Sequence, residues 1–449
     1  MSDAADSSTA VAHLDHPRSL LAGTFGVRLF YHSRSRRRLA LIGAAAAAVF
    51  YVVRGLLQIA LLRQTSLRYD YKPYLDAALS LNHGGDPYAA FLNACGPVWC
   101  HVGYVYPPLL AELFRPLGLL EPYTGARLWL LLSHAAVIGT IVVVHKTVGQ
   151  WLSLTTQAFL LAASLLFLPL YQNLWFLQVG ALMIFVLALS AWAFVREHKD
   201  GWAGAAIGLA TVLRVSPLVM APMLVRSRRQ LSRPAGVAGL VLAIAGLFAI
   251  LAVLTPTTGE FLGTVLPRLA GGTASIDNQS MLGLLLRVEA LFHTGHLPVV
   301  LAGGVLQAAV LAVTWIASLG LEQGRARAAV FAAFLATVPI VSSITWDHHL
   351  MNELLVFALL APSLRPGQRP FRLALASYPL LWVNRGLTEP LANLLGFAPP
   401  HGWTALPFLV VTSLNLAGMV LLWLACVDVL RRRRSQGQSM PPSGPVPAL

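Results

Sequence analysis

Eleven apolar runs, each long enough or nearly long enough to cross a bilayer, leave this 449-residue chain very few folds to choose from. They are Leu39–Leu62, Thr124–His145, Leu152–Leu170, Trp175–Phe194, Trp202–Val225, Ala235–Leu254, Leu297–Leu319, Ala328–Ile344, Leu350–Ala361, Phe371–Val383 and Leu406–Val429. A hydrocarbon core about 30 Å thick takes roughly 20 helical residues. Inside it every backbone polar group must be satisfied within the protein, which leaves helices or closed barrels. These runs are continuously apolar rather than alternating, so the expected fold is an all-α polytopic membrane protein. The 57% hydrophobic and 11% charged residues agree, since a soluble chain carries about 25% charged residues.

The charges between the runs set a topology. Arg34-Ser35-Arg36-Arg37-Arg38 precedes the first run and belongs in the cytoplasm by the positive-inside tendency. One run breaks simple alternation: Trp202–Val225 has Arg196 and Lys199 on one side and Arg226, Arg228 and Arg229 on the other. Both ends want the same face, and Arg214-Val215-Ser216-Pro217 interrupts the middle. We expect a re-entrant hairpin there, with a kinked full crossing as the alternative. About ten spanning helices then alternate cleanly. Arg325/Arg327, Arg365/Arg369/Arg372 and Arg431–Arg434 fall inside with both termini, and the loops around Asp70, Asn278, His348 and Arg385 fall outside. The expected organisation is a cytoplasmic tail over residues 1–38, a transmembrane domain over 39–430 and a basic, Pro-rich cytoplasmic tail over 431–449. The net charge of +14 is on this account a topology signal and a surface for anionic lipid heads, not a nucleic-acid footprint.

Three outer-face constellations carry residues suited to chemistry. Asp70 opens the first loop, and Asp70, Tyr74 and Ala77 share one face of a short helix that Gly84-Gly85-Asp86-Pro87 ends. A partly desolvated carboxylate near the interface can serve as a general base for a hydroxyl; a helix N-cap is the plainer role for it. The loop runs on to Tyr104-Val105-Tyr106-Pro107-Pro108, and between lie Cys95 and Cys100, spaced for a disulfide in an oxidising compartment or standing as two free thiols. Trp346-Asp347-His348-His349 stands at a second membrane boundary, where two histidines can hold a phosphate, orient a carboxylate or ligate a metal. Metal ligation is disfavoured because Asp347, His348 and His349 are contiguous and converge poorly. The third, Asp277-Asn278-Gln279-Ser280 with Arg287, offers amides for sugar hydroxyls and an arginine for a phosphate diester, or else turn chemistry and a snorkelling arginine. Arg214, in the broken run, is costly to bury and so a functional candidate, or a structural partner of a carbonyl or of Gln178.

Taken in order, Asp70 with Tyr74, Gly85-x-x-Tyr88, Tyr106-Pro107-Pro108, Arg214-x-x-Pro217, Asn278-Gln279-Ser280 with Arg287, and Trp346-x-His348-His349 resemble glycosyltransferase family 87. These are polytopic GT-C enzymes, including polyprenyl-phosphate-mannose-dependent mannosyltransferases. The resemblance covers roughly Asp70 to Glu353. It departs at Leu177-Gln178-Val179-Gly180, where the family often has Gly-Gln-x-Asn, and at Arg214, where lysine is frequent.

The resemblance implies an inverting transfer of a hexose, mannose first, from a polyprenyl-phosphate donor to a lipid-linked or cell-envelope glycan acceptor. The site would face outward from a bacterial plasma membrane. Asp70 inherits the base. His348, His349, Arg287 and Arg214 are expected at the donor phosphate, and Tyr74, Tyr106, Asn278 and Gln279 at the sugar and acceptor. No cofactor is required, though a divalent metal stays open. The rivals are a transporter or flippase of lipid-linked sugars, which would show matched broken helices in two halves, and a pentose (arabinofuranosyl) transferase of the same fold.

Overall fold

The computed structural model describes residues 33–62, 70–94, 103–225, 234–255, 257–292, 295–384 and 406–438. Within them the chain is helical with no strand. The longer helices are α1 (Ser33–Leu61), α2 (Tyr71–Asn82), α3 (Pro122–Val148), α4 (Leu154–Leu165), α5 (Leu168–Trp175), α6 (Gly180–Val195) and α7 (Asp200–Leu213). They continue as α8 (Pro234–Leu254), α9 (Met281–Phe292), α10 (His296–Ser318), α11 (Gly324–Val341), α12 (Glu353–Leu360), α13 (Arg369–Leu380) and α14 (Leu414–Gln438). Among the described residues six helices are long and apolar enough to cross a membrane, or seven if α4 and α5, bent by 43° at their junction, count as one. The apolar runs expected at Trp175–Phe194, Leu350–Ala361 and Phe371–Val383 fold as the shorter helices α6, α12 and α13.

The outside of this bundle is as apolar as its inside. Val253 is 85% exposed and Leu242 72% exposed, a surface stable only against hydrocarbon. At the centre stands α11, buried from Arg327 to Val341. α7 and α8 approach through glycines: a Cβ on Gly204 would sit 1.9 Å from the Gly236 carbonyl, and one on Gly239 2.1 Å from that of Gly201. Small residues allow this backbone contact, the usual device where lipid removes the hydrophobic drive between helices.

Arg214 ends α7 in an extended conformation, and the chain continues as a 3₁₀ helix, Ser216–Val225. That helix packs back along α7, and Leu224 reaches Gly236 at the start of α8. Arg214 is thereby held at the junction of the two helices. Arg226, Arg228, Arg229 and Arg385, on which the charge argument partly rests, lie outside the described residues, as do Cys95 and Cys100.

Arg327, counted in the sequence as part of a basic cluster on the cytoplasmic side, does not lie at the surface. It is fully buried. Its Nε donates to the Phe194 carbonyl at 2.7 Å, its guanidinium pairs with Asp200, and it lies 3.9 Å from the Phe194 ring centroid. Three helices, α6, α7 and α11, are clamped by this one side chain.

Candidate active site

The site assembles at the end of the bundle where α3 begins, and the segment from Asp70 to Pro108 forms its floor. Tyr71 of α2 donates to the Pro122 carbonyl at 3.4 Å, which ties that segment to α3. Tyr104 donates to the Pro107 carbonyl at 2.6 Å and accepts from the Ala111 amide at 2.9 Å. Tyr88 donates to the Tyr106 carbonyl at 2.9 Å. The Tyr-x-Tyr-Pro-Pro segment and the Gly85-x-x-Tyr88 turn are thus one hydrogen-bonded unit, and their task is to fix Tyr106.

Two phenols from this unit meet one amide. Tyr74 donates to Gln178 Oε1 at 2.9 Å, and Tyr106 to the same oxygen at 3.1 Å. The two rings stand 5.1 Å apart, edge to face. Burial, the largest cause, raises the proton affinity of both phenols, so both stay protonated and act as donors. Gln178 reaches them because the backbone before it is bent: Leu177 has φ +53°, a left-handed conformation that costs a non-glycine residue about 1–3 kcal/mol. The bend is held from several sides. Trp129 Nε1 donates to the Leu177 carbonyl at 2.8 Å, and the Gln178 amide donates to the Asn173 carbonyl at 3.0 Å. Asn173 Nδ2 in turn donates to the His348 carbonyl at 3.3 Å.

Asp70 faces this cluster. It occupies the N-cap position of α2 yet its side chain makes no capping hydrogen bond. The carboxyl is pushed up to about 6, chiefly by burial; the Gln178 amide and the Arg214 charge pull the other way. Gln178 Nε2 forms no hydrogen bond of ordinary geometry, so the amide acts on Asp70 as a nearby dipole rather than a settled partner. Asp76, the nearest other carboxylate of the loop, is exposed and ion-paired with Lys72 one turn away, a surface pair. It has none of the desolvation a base at this site would need.

Arg214 and the histidines close the far side. The Arg214 guanidinium lies against the His349 ring. His349 Nδ1 accepts the Trp346 amide at 2.9 Å, so that nitrogen carries no proton. Burial first, and the Arg214 charge second, hold both His348 and His349 well below the usual imidazole range. They are neutral here. The sequence reading treated them as cations for a phosphate; the positive charge at this point belongs to Arg214. The two rings are 4.4 Å apart, and Phe176, beside the Gln178 turn, stacks edge-on against His348 at 5.5 Å.

The third constellation sits apart from this contact network. Asn278 Nδ2 donates to the Thr273 and Ser343 carbonyls, both at 3.0 Å, and Oδ1 accepts from the Ser280 and Thr345 amides. Its hydrogen-bonding capacity is spent on backbone. Arg287 donates to the Ser275 and Asn278 carbonyls at 2.9 and 2.7 Å; burial lowers it to about 10, so it keeps its charge. Gln279 donates to Ile276 at 2.8 Å, and its backbone joins Thr345 at 2.6 Å. These residues build the shelf from which Trp346–His349 projects, and they leave Arg287 Nε and Gln279 Oε1 buried without a hydrogen-bond partner. Among the described residues no three His, Cys, Asp or Glu side chains are grouped as metal ligands.

A helical membrane bundle that gathers a desolvated carboxylate, two phenols, an amide and a buried guanidinium at one end defines an integral membrane enzyme. The family model for glycosyltransferase family 87 matches residues 104–343, more than half the chain. The chain belongs to that family and is a glycosyltransferase. A polyprenol-phosphate-mannose-dependent alpha-(1-2)-phosphatidylinositol pentamannoside mannosyltransferase of Mycobacterium tuberculosis is 25% identical over 370 residues, 80% of this chain and 81% of the relative. The crystal structure of ArnT from Cupriavidus metallidurans bound to undecaprenyl phosphate aligns over 90% of this chain and 83% of its own, at 16% identity and a TM-score of 0.39.

Proposed function

We propose that the protein transfers a hexose, mannose, from a polyprenyl-phosphate donor to a hydroxyl of a lipid-linked or envelope glycan on the outer membrane face, with inversion at the anomeric carbon. The observation that carries this reading is the pairing of Asp70, whose carboxyl is held at about 6, with the Arg214 charge across the Tyr74–Tyr106–Gln178 cluster. The name of the mycobacterial relative supports the donor and the sugar.

In the proposed step Asp70, ionised, takes the proton of the acceptor hydroxyl as its oxygen bonds to the anomeric carbon. The bond from that carbon to the phosphate oxygen breaks, and polyprenyl phosphate leaves with the electron pair. Arg214 meets the charge that develops there, worth more in a water-poor site than in solution. Neutral His349, braced by the Trp346 amide, orients the guanidinium. Phosphate is already a good leaving group, so the step needs no further cofactor. Tyr74 and Tyr106 hold Gln178 and wall the sugar. The chain path at Arg214 also fits a re-entrant hairpin, with Arg214 reaching the site from its tip.

The test is direct. Purified protein is incubated with polyprenyl-phosphate mannose, glucose and arabinofuranose, with a mixed glycolipid acceptor fraction, and free polyprenyl phosphate is quantified by mass spectrometry. Release from the mannose donor that depends on acceptor supports the reading. Release only from the arabinose donor, or from none, overturns it.

A further inference from the structure

A cavity of about 460 Å³ lies between α1, α3, α4 and α12, on the side of the bundle away from Asp70. Its size is that of a small-ligand site, about 300–1,000 Å³, but its chemistry is hydrocarbon. Leu41, Ala44, Val137, Leu161, Leu354 and Ala358 set its character. Two of the polar groups it meets are committed to backbone: Thr140 donates to the Ala136 carbonyl at 2.8 Å, and Gln157 to the Gly149 and Leu152 carbonyls at 2.9 and 3.0 Å. Along α3 the lining runs from Val137 to Val148, about 17 Å at 1.5 Å per residue. That is close to the depth of one leaflet, half of a hydrocarbon core about 30 Å thick.

One end of the cavity is cationic. His145 and Lys146 line it, both exposed in the last turn of α3. Leu41 of α1 lies three residues beyond Arg38, and Arg36, Arg37 and Arg38 are exposed on the preceding turn. α1 has no acidic residue in its first turn to offset them. This mouth is at the opposite end of α3 from Pro122, where the catalytic loop attaches.

We propose that the cavity binds one acyl chain of an anionic phospholipid from the leaflet opposite the catalytic end, its phosphate held at the mouth by Lys146 and the arginines of α1. Hydrocarbon fills the slot that no polar group needs, and the negative headgroup answers the basic mouth. Occupancy reaches toward the site: Met351 and Leu354 line the cavity two and five residues after His349. A bound chain therefore packs under the segment that carries His349 and braces Arg214 from below.

The test is lipid retention, which does not depend on knowing the sugar donor. Protein in mixed micelles with equimolar dioleoyl phosphatidylglycerol and dioleoyl phosphatidylcholine is read by native mass spectrometry. The expected result is one retained phosphatidylglycerol, favoured on the order of tenfold or more, since each basic group near the surface contributes about fivefold. Lys146→Ala with Arg37→Ala and Arg38→Ala, all surface changes, should abolish the preference. Ala158→Trp, which plugs the cavity from α4, should abolish retention. Equal retention of both lipids, an unchanged preference in the triple variant, or a retained species that is polyprenyl phosphate instead would each overturn the proposal.

Discussion

Replacing Asp70 by asparagine separates a base from a cap and gives a stability change of opposite sign to the activity change. The side chain makes no capping bond in the wild-type protein, and asparagine caps about as well as aspartate, so α2 should not suffer. The carboxyl is held at about 6 in the folded state against 3.8 for the free group. At about 1.4 kcal/mol per pH unit, that displacement is a cost of about 3 kcal/mol carried by the folded protein when Asp70 is ionised. Below 3.8 the cost is absent, because both states are protonated. Between 3.8 and about 6 the folded state holds more proton than the unfolded one, so stability falls as pH rises, and above 6 the cost is complete. Asparagine never ionises. Asp70→Asn should therefore unfold in detergent at a higher temperature than wild type at pH 7, with the gap closing toward pH 4. Turnover should fall by about 10²-fold or more, because the proton has nowhere to go. In the wild type, kcat/KM should decline on the acid side with a midpoint near 6. The assay is release of free polyprenyl phosphate across pH 4.5–8, beside thermal unfolding of both proteins. Near wild-type turnover in Asp70→Asn, or an acid limb centred near 4, would refute the assignment.

The other residues divide by what they touch. Gln178→Leu leaves the buried Tyr74 and Tyr106 hydroxyls without their acceptor, at about 1–3 kcal/mol each; because the amide lowers the Asp70 pKa, the acid limb of the pH profile should move up as well. Arg214→Met should move that limb up for the same reason and weaken donor binding, seen as a raised KM for the lipid-phosphate sugar. Arg287→Met should lower the unfolding temperature through three lost hydrogen bonds, while the protein that folds keeps the wild-type donor KM. Arg327→Met removes the Asp200 ion pair and the bond to the Phe194 carbonyl, and should show as loss of thermal stability with no change in the pH profile of what survives.

The helical membrane fold was legible because it rests on run length and charge flanks, which a sequence displays directly. Asp70, Tyr74, Tyr106, Arg214 and His349 were legible for a related reason. A polar residue at the edge of an apolar run has few structural tasks, and these five do converge. Depth was not legible. Arg327 carries the same flanking signal as a surface arginine, and only packing among α6, α7 and α11 shows that it is sealed inside. Gln178 was undervalued because it sits in a departure from the family pattern. Its importance arises from the left-handed Leu177 backbone, and nothing in a bulky leucine signals a positive φ.

Two buried arginines show most clearly why composition and spacing cannot assign roles. Arg214 and Arg287 are the same group, and each stands near polar loops at one end of the bundle. What distinguishes them is how far their partners have already answered the charge. Arg287 gives two short hydrogen bonds to backbone carbonyls and a longer one to Ser413. Its Nε alone has no partner, and a phosphate taking more of the guanidinium than that would leave buried carbonyls unpaired, at about 1–3 kcal/mol apiece. Arg214 rests on a neutral imidazole, and among the described residues the carboxylate acting on it in the site is Asp70. Asp70 acts on it as a charge and, among the described residues, not as a close ion pair, so the guanidinium is incompletely matched even with Asp70 ionised. A charge kept short of its counterion in a desolvated place is the electrostatic condition for stabilising a departing phosphate. Arg214 thus keeps guanidinium capacity that Arg287 has largely spent on carbonyls, and Arg214→Met should raise the donor KM where Arg287→Met leaves it unchanged.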